Sequence, residues 1–172
     1  MIDLKSFIRD IPDFPKKGII FKDITPLLKN GEAFSRVIKT IAKRYKKANA
    51  DAVLGVEARG FIFGGAVARE LGVGFLPVRK PGKLPYKTRS ITYDLEYGTD
   101  TLQIHEDAIS KGDRIIIVDD LLATGGTVAA CCKMVESLGG KVAGISFVIE
   151  LGFLKGRGKL AGYDVVSLIN YE

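Results

Sequence analysis

The chain has 172 residues, 47% of them apolar and 27% charged, with a formal net charge of +6. That length specifies one domain able to bury a core, and the apolar content excludes a disordered polymer. No run approaches the roughly 20 apolar residues of a membrane span, so a membrane partner is not expected.

The first expected element is a helix over about 2–9. There Met1-Ile-Asp-Leu-Lys-Ser-Phe-Ile-Arg-Asp10 alternates charge with apolar residues and has no signal-peptide core. A loop with a short strand at 19–21 follows, then a helix over about 32–47. The densest basic cluster, Lys43-Arg-Tyr-Lys-Lys47, closes that helix, where cations suit the dipole. As a solvated helix end it needs no polyanion, and the chain carries no winged-helix, helix-turn-helix or RNA-binding signature. Nucleic acid is not an expected partner.

Strand 52–56 leads into helix 61–71, and strand 75–78 into a long irregular segment. Strand 101–105, a strand from residue 115, a helix over 127–138 and strands 142–149 and 165–169 complete the chain. Cys131 and Cys132 point apart on the 127–138 helix. They suggest buried thiols in a reducing, cytoplasmic compartment rather than a disulfide or a metal site. Alternating strands and helices predict an α/β fold, a parallel sheet with helices on both faces. Ligands of such sheets bind outside the C-terminal strand ends, and every motif singled out below, except the N-terminal one, lies at such an end.

Ile115-Ile-Ile-Val-Asp-Asp-Leu-Leu-Ala-Thr-Gly-Gly-Thr127 is the most informative stretch. Four β-branched apolar residues in a row suit a central strand covered on both faces. Asp119 and Asp120 follow, then Ala123, Thr124, Gly125, Gly126 and Thr127, a run with open backbone N–H groups, two hydroxyls and no bulky side chain. The next helix aims its N-terminal dipole at that loop, which makes a phosphate cradle. No basic residue lies between Asp120 and Cys132, so the P-loop lysine is missing, and Gly-x-Gly-x-x-Gly is absent too. Acids beside a phosphate suit a sugar phosphate, whose monoester enters the loop while its diol donates to the carboxylates. Consecutive strand residues face opposite ways, so Asp119 and Asp120 are expected to play unequal roles rather than share a proton. Alone, the pair would also fit an acidic strand end capping the next helix.

Glu57, Ala58, Arg59 and Gly60 follow strand 52–56 and combine a planar guanidinium fork with a glycine that lets backbone approach an anion. The alternative is an ordinary turn with Glu57 and Arg59 paired at the surface. Residues 79–100 are too many for a simple connection. They carry Arg79, Lys80, Lys83, Lys87 and Arg89, broken by Pro81, Gly82 and Pro85. A basic loop near a polyanion reads as a flexible lid that neutralises charge and excludes water. A hairpin with solvated cations stays open for Lys87 and Arg89. His105, the only histidine, gives a histidine-based triad no support and is expected to be structural.

The strand, the Asp-Asp pair and the Thr-Gly-rich loop resemble the type I phosphoribosyltransferases. The resemblance extends to the adenine phosphoribosyltransferase family through further segments in order: Pro12-Asp-Phe-Pro15, Gly18-Ile-Ile-Phe-Lys-Asp-Ile-Thr-Pro26, Glu57-Ala-Arg-Gly-Phe61, Arg79-Lys-Pro-Gly-Lys-Leu-Pro85 and Leu95-Glu-Tyr-Gly98. It covers essentially the whole chain. It implies a single type I phosphoribosyltransferase domain over 1–172, with an N-terminal hood over about 1–30 and the lid over about 79–100. The implied reaction moves ribose 5-phosphate from 5-phosphoribosyl 1-diphosphate (PRPP) to adenine, giving AMP and diphosphate in purine salvage, through an oxocarbenium-like transition state.

The same resemblance implies Mg2+ held mainly through PRPP and a homodimer. It implies that Glu57, Ala58, Arg59 and Gly60, often with a non-proline cis peptide, and Arg79, Lys80 and Lys83 contact the diphosphate. Glu96 would handle a purine proton as the lid closes, with Tyr97 beside the nucleotide. Backbone near Ile20 and Lys22 would read the adenine edge while Phe21 helps cover it, although a core aromatic is the equal alternative for Phe21. Some family members carry Arg where this chain has Lys22, and the two side chains are not interchangeable. The alternatives are transfer to hypoxanthine, guanine or xanthine, and a non-catalytic PRPP-binding regulator.

Overall fold

The computed structural model describes residues 2–94 and 98–172. In chain order these form β1 (Arg9–Pro12), β2 (Ile20–Asp23), α1 (Thr25–Lys29), α2 (Gly31–Tyr45), β3 (Ala52–Val56), α3 (Gly60–Leu71) and β4 (Gly74–Val78). Then come β5 (Thr88–Asp94), β6 (Thr99–His105), β7 (Arg114–Leu122), α4 (Gly126–Ser137), β8 (Lys141–Leu151) and β9 (Val165–Tyr171). Five strands make one parallel sheet in the order β4-β3-β7-β8-β9. β1 with β2, and β5 with β6, form antiparallel hairpins outside it.

Ile115, Ile116, Ile117 and Val118 of β7 are fully buried, and their side chains alternate between two cores. Ile115 and Ile117 pack with Leu54, Phe147 and, from α4, Cys131 and Val135. Ile116 and Val118 pack with Val53, Val148, Ile41 of α2 and Phe63 of α3. Helices cover both faces, which is why this strand reads as an unbroken apolar run. Each such side chain contributes about 1.5–3 kcal/mol relative to an exposed one, as an upper bound.

Helix α2 starts where Asn30 accepts from the Ala33 N–H at 2.9 Å, and it carries Glu32 in its first turn and Lys43 and Arg44 in its last, all matching the dipole. Within the basic cluster, Arg44 pairs with Asp164 at 2.7 Å on the surface. Tyr45 instead turns inward and donates its hydroxyl to the Ile145 carbonyl at 2.9 Å.

Two elements differ from expectation. The helix over 2–9 is a single 3-10 turn, Leu4–Phe7, followed by β1. Asp3 closes the turn by accepting from the Lys5 N–H at 3.0 Å. Residues 9–12 then extend because β2 offers a ladder, with Asp10 opposite Lys22 and Ile11 opposite Phe21. Pairing across the hairpin outweighs a weak local helical pattern. The segment 79–100 gives way to a strand at residue 88: Thr88–Asp94 is β5, in register with β6 from Thr88 opposite His105 to Asp94 opposite Thr99. Its inward Ile91 and Tyr93 follow the period-two spacing of a strand. Arg79 and Gln103 exchange both backbone hydrogen bonds, at 2.9 and 2.7 Å, and so tie this hairpin to the C-terminal end of β4.

Candidate active site

The expected strand end lies two residues beyond the acids, because β7 continues past Asp119 and Asp120 and keeps pairing with β8 through Leu122 opposite Glu150. The chain turns at Gly125, whose φ of 78° is left-handed, a conformation glycine adopts without a Cβ clash. Gly125 caps α4, where its carbonyl accepts from the Ala129 N–H at 3.0 Å. A cavity of about 80 Å³ opens at this point, lined by residues 123–128 with Asp119, Leu121, Leu122 and Phe147. The loop is backed by the 3-10 turn Gly156–Leu160. A Cβ on Gly156 would collide with the Ala123 carbonyl and stand 2.9 Å from the Gly125 nitrogen. Backbone rests directly on backbone here, so the loop keeps its shape without a charged support.

Asp119 and Asp120 do occupy unequal surroundings. Asp119 Oδ1 accepts from the Asp120 N–H at 2.9 Å, and it lies 2.6 Å from where a Cβ on Gly60 would sit. Gly60 thus gives the carboxylate its room against the first turn of α3. Asp120 is 6% exposed, and Arg59 Nε approaches its Oδ2 at 2.8 Å off the hydrogen-bonding direction. Burial, then the charge of Asp120, pushes the Asp119 carboxyl well above its ordinary value. Burial also raises Asp120, against the opposing pull of Arg59.

The alternative of a surface pair between Glu57 and Arg59 does not form; each finds another partner. Glu57, joined to Ala58 by a cis peptide, takes Lys83 Nζ, the Lys80 N–H at 2.9 Å and Arg79 Nε at 3.3 Å. Chiefly the Lys83 hydrogen bond holds its carboxyl down to about 2. Lys80 Nζ pairs with Asp100. A cavity of about 370 Å³ brings together Glu57, Ala58, Arg59, Lys80, Asp119, Asp120 and Thr127. Tyr93 and Asp100 line it as well. Arg79 and Lys83 are not among its walls and reach it through Glu57.

Phe21 on β2 belongs to neither buried core. Its ring lies 5.1 Å from the Arg59 guanidinium and edge-on to Phe14 at 5.2 Å, beside the cavity wall but not part of it. Ile20 is 55% exposed. The Lys22 side chain is directed elsewhere: its ammonium donates to Asp10 at 2.7 Å and lies 3.9 Å from the centre of the Tyr171 ring, which pins the hairpin to β9. Glu96 and Tyr97 lie outside the described residues. His105 meets Tyr86 edge-on at 6.0 Å and does not line the cavity. Tyr93, Asp100 and Gly156 escaped the sequence reading. Alternation along residues 88–94 could have found Tyr93, and the glycine pair at 156 and 158 was a cue for a close backbone approach; nothing local marks Asp100.

Residues 23–167 match the phosphoribosyl transferase domain family. The chain is 59% identical to the adenine phosphoribosyltransferase of Acidobacterium capsulatum, over 98% of this chain and 93% of that one. The crystal structure of adenine phosphoribosyltransferase from Thermoanaerobacter pseudethanolicus matches with a TM-score of 0.95 at 60% identity, covering 98% of both chains. The Saccharomyces cerevisiae enzyme, crystallised with an imino-altritol bisphosphate and adenine, matches at 0.90 and 42%, over 96% of both. Sequence, fold and the two adjoining cavities agree: the chain belongs to the adenine phosphoribosyltransferase family.

Proposed function

We propose that PRPP lies across both cavities, with its 5-phosphate in loop 123–127, its ribose diol on Asp119 and Asp120, and its diphosphate among Arg59, Arg79, Lys80 and Lys83. Adenine then lies under the N-terminal hairpin beside Phe21. One observation carries this reading: a small pocket of about 80 Å³, built on loop 123–127 and lined by no cation, adjoins a charged cavity of about 370 Å³, and both share Asp119, Leu121 and Thr127. A monoester dianion suits the first, where helix dipole and N–H groups act without a counter-charge. A diphosphate suits the second.

In the reaction, the bond from the anomeric carbon to the diphosphate oxygen breaks and the bond to the purine nitrogen forms. The electron pair leaves with the diphosphate, whose growing charge Arg59, Lys80 and Lys83 stabilise. The purine N–H gives its proton to the Glu96 carboxylate, a step worth about 10²–10⁴ in rate for a positioned base. Backbone near Ile20 and Lys22 distinguishes adenine from oxopurines through mismatched donors and acceptors. The Lys22 side chain is engaged with Asp10, which supports a backbone rather than a side-chain contact.

Among the described residues no cluster of three His, Cys, Asp or Glu side chains is arranged for a metal. The hard oxygens of Asp119 and Asp120 nevertheless fit Mg2+ carried in on substrate phosphates, which keeps several waters and takes few protein ligands. When bound, Mg2+ would neutralise diphosphate charge. A homodimer is proposed on the family membership alone. A reducing cytoplasmic setting is supported by two free buried cysteines; burial pushes the Cys132 thiol up to about 12.

The test mixes protein, PRPP and Mg2+ with adenine, hypoxanthine, guanine or xanthine and separates the nucleotides by chromatography. AMP from adenine alone, lost in Glu96→Ala by about two orders of magnitude or more, is the expected result. No nucleotide from any base, despite measurable PRPP binding, would overturn it.

A further inference from the structure

We propose that Asp100 is a positioning residue for the transfer reaction: it holds the Lys80 ammonium at the diphosphate and, through Tyr93, ties the β5–β6 hairpin to the 5-phosphate loop at Thr127. This rests on the reading above that Lys80 meets the diphosphate. Asp100 Oδ2 takes Lys80 Nζ and accepts from the Tyr93 hydroxyl at 3.2 Å, while Oδ1 accepts from the Thr101 N–H at 2.8 Å. The Tyr93 oxygen lies 3.1 Å from Thr127 Oγ1. Because the single phenol proton goes to Asp100, the Thr127 hydroxyl donates to Tyr93. All four side chains line the 370 Å³ cavity, so the chain Lys80–Asp100–Tyr93–Thr127 runs from one end of PRPP to the other.

This differs from an ordinary surface ion pair. The carboxylate is 24% exposed and is fixed by two further donors before the lysine arrives, so it offers a defined acceptor. Burial pushes the carboxyl up, but the Lys80 and Thr101 hydrogen bonds outweigh it and leave Asp100 lowered and ionised. An ammonium has three donors; one spent on Asp100 leaves two for phosphate oxygens. The rotamer entropy of a long lysine chain is thereby lost before binding rather than during it. The phenol link has a second consequence: it joins residues on β5 and β6 to the first turn of α4, so the hairpin and the phosphate loop keep a common register.

The opposite possibility makes Asp100 a competitor that the diphosphate must displace from Lys80. The sign of one kinetic effect separates the two. A double-mutant cycle over Lys80→Ala and Asp100→Asn, with KM for PRPP, KM for adenine and kcat measured at fixed salt, is the experiment. Lys80→Ala is expected to raise KM for PRPP about tenfold, the scale of one charge-assisted hydrogen bond. Asp100→Asn should raise it about fivefold with adenine KM within about twofold, and should add almost nothing in the Lys80→Ala background, as coupled neighbours behave. Tyr93→Phe, which keeps the packed ring and deletes only the hydroxyl, should raise KM for PRPP about threefold. If Lys80→Ala weakens PRPP while Asp100→Asn leaves its KM unchanged or lowers it, Asp100 does not position Lys80 and the inference is overturned. If Lys80→Ala itself leaves KM for PRPP unchanged, the assignment of Lys80 to the diphosphate fails first.

Discussion

Loop 123–127 and the segments bearing Arg59, Arg79, Lys80 and Lys83 are held by different forces. The loop contains no charged side chain; glycine at 125 and the Gly156 backbone behind it fix its path. The cationic side has little such support, and each of its cations is matched by an acid: Arg59 by Asp120, Arg79 and Lys83 by Glu57, Lys80 by Asp100. A backbone cradle presents partial charges only, so it can stand open without self-repulsion. Four full cations so close together, two of them on the cavity wall and two reaching it through Glu57, cannot, and acids offset them in the free protein. One half of the cavity is therefore fixed by shape and the other by matched charge.

Gly156→Ala should break the shape-held half most severely. The new Cβ would overlap the Ala123 carbonyl, so either the loop or the 3-10 turn must shift. A displacement near 1 Å at a positioning element costs about 10²-fold in rate, and kcat/KM for PRPP should fall by that order while adenine KM changes little. Gly158→Ala is the control, since a Cβ there meets nothing within 4 Å and should be close to neutral. Steady-state kinetics on the two variants decide the matter: near-equal activity would mean that the loop does not depend on the turn behind it.

What could be read from sequence divides along the same line. The cradle is local: β-branched residues, two acids and a small-residue run lie within 13 consecutive positions, and the alternation of elements then supplies the parallel sheet. The cationic half could be read only as a list of charges. Its pairings join residues far apart in sequence, Lys80 with Asp100 and Tyr93 with Thr127, and no periodicity encodes them. The Glu57–Arg59 pair that adjacency allowed as an alternative gives way to partners that only the fold brings near. Lys22 shows the same limit, because its position was recognisable but its engagement with Asp10 and Tyr171 needed β1 and β9 in place. The 3-10 turn and β1 replaced a helix because a hairpin partner twelve or so residues away decided the backbone.

The charge-held half should respond to Lys83→Ala and to salt. Lys83 is 48% exposed, so its field is screened at high ionic strength. We expect KM for PRPP to rise about tenfold in Lys83→Ala at low salt, the worth of one charge-assisted contact. The gap from the unaltered protein should narrow as salt is raised toward about 1 M, where the Debye length is roughly 3 Å. Gly156→Ala should show no such narrowing, because its defect is steric. Parallel salt titrations of the two variants with the same slope would erase the distinction between the halves.

The smallest effect sits where the halves meet, at Asp119. Its carboxyl is raised above 3.8 by burial and by Asp120, so below 3.8 it is protonated in folded and unfolded chains alike and costs no stability. As pH rises through 3.8 the unfolded chain releases its proton first, and stability is lost until the folded value is passed. Asp119→Asn keeps an acceptor for the Asp120 N–H and cannot ionise. Its melting temperature should match that of the unaltered protein in acid and exceed it by a few degrees near neutrality, since about 1 kcal/mol moves a chain of this size by roughly 2–4 °C. The proposed ribose contact would be weakened in the same variant, so stability should rise as AMP formation falls. A melting temperature that drops at neutral pH would mean that the ionised Asp119 is compensated by a partner, and that the floor of the cavity belongs to the charge-matched half after all.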